Sequence, residues 1–130
     1  MSEVKFLNPS TIHAPMGYSH VAEVSRGKIV FISGQIAIDK DGNLVGKDDF
    51  AAQARCAFTN LKNALESVGA TMSNIVKINY YVVDMSRMQD LREIRDTFLT
   101  GSKPASTAVG VTRLARPGLL IEIEAVAVID

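Results

Sequence analysis

An α+β fold, with a mixed six-stranded sheet and two helices packed on one of its faces, is the architecture that these 130 residues predict. Three observations carry that reading. Two segments, after Asp48 and after Ser86, repeat apolar residues at three- and four-residue spacing, the period of an amphipathic helix. The run Ile75 to Val83 is β-branched or aromatic apart from Lys77 and Asn79, as expected of a central strand. The last quarter, Lys103 to Val128, holds two strand-like runs joined by Pro117-Gly118.

Taken in order, Val4 to Leu7 reads as a short strand, followed by a loop with Asn8, Pro9, Ser10, His13, Pro15 and Gly17. Tyr18 to Val24 and Lys28 to Ile38 read as two strands of a hairpin turning at Arg26-Gly27, and Asp41-Gly42 marks the next turn. Asp48 is the expected cap of the first helix, in which Phe50, Ala54, Ala57, Leu61, Ala64, Leu65 and Val68 share a face and Gly69 ends the segment. In the central strand Val76, Ile78, Tyr80 and Val82 form the buried face. Ser86 is the expected cap of the second helix, whose spaced residues are Met88, Leu91, Ile94, Arg95 and Phe98, and Thr100-Gly101-Ser102 stops it. Ser106 to Arg113 and Leu119 to Ile129 close the chain as strands.

Helices on one face let a single core satisfy both of them. The opposite sheet face keeps Ile, Val and Tyr side chains, more than solvent favours, so self-association through that face is expected. The length suits one domain, residues 1–130, that folds without staples. Hydrophobic residues are 47% and charged residues 22%, which excludes a disordered chain. Fourteen basic and fourteen acidic residues cancel, removing any net attraction to phosphate backbones or anionic lipid. Cys56 is the only cysteine, and its helical neighbours make it a small buried or half-buried residue. Pro9, Pro15 and Gly17 interrupt the charge-free stretch from Phe6 to Ala22, so no signal peptide or membrane span is read there and a cytoplasmic location is expected.

The final strand holds the most pointed feature. Ile121, Ile123, Ala125 and Ala127 line one face, and Glu122 and Glu124 share the other with Val126 and Val128. A solvated strand end accounts for two such carboxylates, and so does a functional cleft. His13 and His20 have no Cys, Asp or Glu at ligand spacing, so no metal site is expected and both read as surface residues. Ser33, Ser106 and Thr107 lack any triad pattern that would make them nucleophiles.

Gly17-Tyr18-Ser19, Ser33-Gly34-Gln35, Asn60-Leu61-Lys62, Pro104-Ala105 and Ile121-Glu122-Ile123-Glu124-Ala125, in that order along almost the whole chain, resemble the RidA/YjgF/L-PSP family. The resemblance implies a chorismate-mutase-like fold, a homotrimer forming a barrel with clefts between subunits, and cofactor-free hydrolysis of reactive enamine or imine intermediates to 2-oxo acids and ammonia. It also implies that Tyr18 and Gly34 line the cleft and that Glu122 orients the attacking water. A carboxylate in a partly dry cleft can exchange protons near neutrality.

Two departures stand out. Family members that act as deaminases carry an Arg directly after Pro-Ala to grip the substrate carboxylate, and this chain has Ser106 there. A hydroxyl offers one neutral hydrogen bond where a guanidinium offers a bidentate ionic contact. Arg92 falls where the family often has Asn facing the site, which makes it either a relocated anion clamp or a solvated helix residue. Ala108 completes the substrate-binding set of Tyr18, Gly34, Arg92 and Ser106. The implied functions are therefore a deaminase with altered substrate specificity, or a non-catalytic metabolite-binding or regulatory trimer. The endoribonuclease activity attached to some relatives is disfavoured by the neutral charge and the lack of a basic or aromatic stacking run. No nucleic-acid or membrane partner is expected.

Overall fold

Among the described residues six strands and two α-helices form, as the periodicities require: β1 Glu3–Leu7, β2 Val21–Arg26, β3 Lys28–Gln35, α1 Phe50–Glu66, β4 Ile75–Val82, α2 Met88–Phe98, β5 Ala105–Gly110 and β6 Ile121–Ile129. The structure is a computed structural model describing residues 1–101 and 103–130. Of the expected stop after the second helix, Ser102 lies outside the described residues.

The strands do not make one six-stranded sheet. β1 and β2 pair with each other, antiparallel, and the remaining four run in the order β3-β6-β4-β5. The expected hairpin of β2 and β3 is absent for a simple reason. Only Gly27 separates the two strands, with φ +133, and a two-residue loop is the usual minimum for folding one strand back on another. The chain bends at Gly27 and passes from one sheet to the other. Within the larger sheet β6 is antiparallel to β3 and β4, and β5 runs parallel to β4 at the edge.

Both helices cover the same face of that sheet. α1 lies against β6, β3 and α2, and the core joins Phe50, Phe58, Leu61 and Leu65 of α1 and Leu91 and Ile94 of α2 to Ile78, Tyr80, Val82, Ile121 and Ile123. Phe58 stacks on Phe98 at 4.9 Å between ring centroids, which fastens one helix to the other. The first helix is capped one residue later than expected. Asp48 has φ +57, whereas Asp49 is extended and accepts a hydrogen bond from Ala52 N at 3.0 Å. Ser86 is likewise not a cap. Asp84 caps a 3-10 turn over Met85–Arg87 by accepting from Ser86 N, and α2 continues from that turn.

Gln53 is the polar residue most deeply placed in this core. Its Nε2 donates to Gly46 O at 3.1 Å and Gly118 O at 2.8 Å, and its Oε1 accepts from Leu120 N at 2.8 Å. One amide thereby ties α1 to the loop before it and to the loop entering β6. Gln53→Met keeps the volume and strands three buried polar groups, so it should destabilise the fold by about 2–4 kcal/mol. Urea unfolding followed by circular dichroism checks this, and a midpoint within error of the parent would show that those groups find other partners.

Candidate functional site

Strand alternation divides the expected site residues between the two faces of the larger sheet. Ser106 and Ala108 of β5 pair with Ile78 and Tyr80 of β4, which point into the core, so they lie on the helix side. Glu122 alternates with the buried Ile121 and Ile123 and lies on the helix-free side. One copy of the chain therefore cannot gather Glu122 and Ser106 into a single cleft.

On the helix side, Tyr18, Arg92, Ser106 and Ala108 line one cavity of about 370 Å³. The loop that carries Tyr18 is hooked onto the edge strand by Ser19. Its N–H donates to Pro104 O at 3.1 Å, and its hydroxyl donates to Lys103 O at 2.6 Å. These bonds bring Tyr18 beside Ser106 across 88 positions of sequence. The loop is braced from within. His20 Nε2 lies 2.6 Å from His13 O, His13 Nε2 lies 3.2 Å from the Tyr18 hydroxyl, and the His20 ring meets both the His13 and Tyr18 rings edge to face.

Three polar cavity residues escaped the sequence reading: His13, Tyr80 and Arg95. Arg95 is one helical turn beyond Arg92 and therefore shares its face of α2. Its side chain is only 13% exposed, and its Nε donates to Asp96 Oδ1 at 3.0 Å. Gly17, at φ +78, lies against that guanidinium so closely that a Cβ there would overlap Nη2. Only glycine meets both demands. Tyr80 belongs to the buried strand face, as expected, and is 3% exposed, yet its hydroxyl reaches no hydrogen-bond partner among the described residues. Burial pushes its phenol well above the ordinary value, with Arg95 pulling it back and Asp96 adding to the rise. It remains a neutral donor at any physiological pH.

On the helix-free side Glu122 and Gly34 meet. Gly34 sits where the register of β3 on β6 shifts, and a Cβ on it would overlap the Glu122 carboxylate. The two carboxylates of β6 have different surroundings. Glu124 Oε1 accepts from Asn79 Nδ2 at 3.1 Å and from the Tyr81 hydroxyl at 2.5 Å, whereas Glu122 has no hydrogen-bond partner among the described residues. Glu124 is thus committed to the sheet and Glu122 is available. The same face leaves Ile29 58% and Phe31 79% exposed. Cys56 is half-buried in α1, and burial followed by Asp39 pushes its thiol up, away from the reactive thiolate. Among the described residues no three His, Cys, Asp or Glu side chains converge, and no helix is long and apolar enough to cross a membrane.

A family model described as endoribonuclease L-PSP matches residues 9–129. The chain belongs to the RidA/YjgF/L-PSP family. Among its Rid relatives, a RutC family protein of Pyrococcus abyssi is 36% identical over 114 residues, 87% of each chain. A mouse protein named 2-iminobutanoate/2-iminopropanoate deaminase is 34% identical over 122 residues, 92% of this chain and 88% of that one. The Rid fold described above superposes on the crystal structure of YyfB from Yersinia pestis, a conserved Rid protein of unknown function, with a TM-score of 0.89. That match has 37% identity and covers 97% of this chain and 98% of the other.

The unequal commitment of the two carboxylates can be read by titration. The hydrogen bond to Glu124 is the main cause that raises the Tyr81 phenol, ahead of burial and of the charges on Glu124 and then Glu122. Because the folded value is raised, the stabilisation is complete below the ordinary phenol value and is lost as pH climbs through the folded one. Glu124→Gln should bring Tyr81 ionisation back toward the ordinary value, and Glu122→Gln should move it much less. Tyrosinate absorbance during alkaline titration measures both, and equal shifts would contradict the assignment.

Proposed function

We propose that this Rid protein is a cofactor-free hydrolytic deaminase of reactive enamine or imine intermediates, working as a cytoplasmic homotrimer, with Arg92 holding the substrate acid group in place of the arginine that Ser106 replaces. The observation that carries the reading is that Arg92 lines the same cavity as Ser106, Tyr18 and Ala108. A guanidinium entering that cavity from α2 can serve the anion that the β5 position no longer serves. The deaminase named among the relatives supports the reaction class.

The divided site supports assembly of more than one copy, and the family resemblance supports three. The helix-free face of one copy offers Glu122, Gly34 and the exposed Ile29 and Phe31, and the helix side of a neighbour offers the cavity. Docking them covers apolar surface and completes a cleft in one step. In that cleft the Glu122 carboxylate accepts a proton from water as the water oxygen bonds to the imine carbon. Glu122 gives that proton to the nitrogen of the resulting carbinolamine, and as the C–N bond breaks to release ammonia the hydroxyl passes its proton back to the carboxylate, leaving the 2-oxo acid. An enamine enters the same sequence after protonation at its β carbon. Tyr18 and Gly34 line the cleft, the first through its hydroxyl and the second by leaving room for Glu122.

A non-catalytic metabolite-binding trimer is the second reading, and the serine at 106 is the observation in its favour. Turnover separates the two. With 2-aminoacrylate released by a dehydratase, the protein should accelerate 2-oxo acid formation. Glu122→Gln should remove the acceleration while keeping the melting temperature within a few degrees, since the role is in the transition state. Arg92→Ala should lower kcat/KM roughly 10- to 100-fold, the worth of one charge-assisted contact. No acceleration by the parent protein would favour the binding module.

The assembly has its own check. Native mass spectrometry at micromolar concentration should show three copies of the 14.1 kDa chain. A monomer would sink both the trimer and the shared cleft.

A further inference from the structure

Beyond Arg92, the cavity holds polar groups that a simple 2-imino acid leaves idle. Tyr80 lines the cavity, and its hydroxyl is buried and unpartnered among the described residues. Buried hydroxyls nearly always have a partner, so this one calls for an acceptor that arrives from outside the chain. Arg95 lines the same cavity, largely buried, with Nε given to the exposed Asp96 and its two Nη groups free of any hydrogen bond among the described residues. Arg92 stands three residues away on the same helix face, so two guanidinium groups border the cavity and only Arg95 has a carboxylate partner, Asp96, among the described residues. Met88, Leu91 and Ala108 supply apolar wall suited to a short carbon chain.

We infer that Tyr80 and Arg95 form a second acid-binding subsite, and that the ligand of this cavity is a dicarboxylate, an amino-acid-derived imine or enamine whose side chain itself ends in a carboxylate. This rests on the reading that the cavity is the acid-holding half of the site. Arg92 takes one carboxylate, and Arg95 with the Tyr80 hydroxyl takes the other. Binding neutralises the paired guanidinium groups and gives the orphan phenol its acceptor at once. A monocarboxylate does only half of this.

The test reads binding without turnover. The full chain is titrated by calorimetry with 2-oxoglutarate and with 2-oxobutanoate, product-like acids that differ in the second carboxylate. The diacid should bind tighter by roughly tenfold or more, the gain from one additional charge-assisted contact. Tyr80→Phe and Arg95→Gln should each erode that preference toward unity. Tyr80→Phe should not lower the melting temperature, because it deletes a hydroxyl that bonds to nothing in the protein. Arg95→Gln, at a less buried position, reads the same preference should Tyr80→Phe fold poorly. Equal affinity of the parent for the two acids, no binding of either, or a preference that survives both substitutions would overturn the inference. Failure of the deaminase assay would refute the enzyme reading and leave a measured diacid preference standing.

Discussion

The alternation of side chains across β5 and β6 is the constraint on which the site depends. Ser106 follows Ile78 and Ala108 follows Tyr80 to the helix side because the parallel register of β5 on β4 pairs them there. Glu122 goes to the opposite side because Ile121 and Ile123 are claimed by the core. With a period of two, moving Glu122 to the cavity would require a one-residue slip of β6, turning its isoleucines out to solvent and its carboxylates into the core. Hydrophobic burial therefore enforces the separation, and any chemistry that needs both halves needs a second copy.

The fold spends polar contacts where the two halves must be held steady. Ser19 pins the Tyr18 loop to the backbone at Lys103 and Pro104. Gln53 pins α1 to the loop leading into β6. Neither group belongs to the cavity, yet each fixes the relative position of elements that do. Glycine performs the complementary task. Gly17 yields space to Arg95 and Gly34 yields space to Glu122, one on each side of the sheet.

The cavity itself shows the reverse economy, with polar groups left unsatisfied. An unpartnered phenol and two guanidinium groups on one helix face, one of them paired with Asp96, border the same cavity, and on the reading proposed above an anion would satisfy them. On the helix-free side the carboxylates are sorted by their neighbours. Asn79 and Tyr81 occupy Glu124 and leave Glu122 for other work.

Periodicity alone determined the helices, the central strand and the two faces of β6, because burial imposes periods of two and 3.6 that survive in any single sequence, while the family resemblance rested on short motifs such as Ile121-Glu122-Ile123-Glu124-Ala125. It could not separate Asp49 from Asp48 as a cap, since both are good capping residues and only backbone dihedrals distinguish them. Nor did it show that Gly27 leaves no room for a hairpin and instead splits the expected sheet in two. Tyr18, Arg92, Ser106 and Ala108 were named as candidate site residues through the family resemblance, and the structure places those four around one cavity. Arg95 and Tyr80 were visible only as members of a helix spacing and a strand face. Whether a guanidinium borders a cavity, or a buried hydroxyl lacks an acceptor, depends on groups distant in sequence. Only the packing of α2 and the Tyr18 loop over the edge of the sheet decides it.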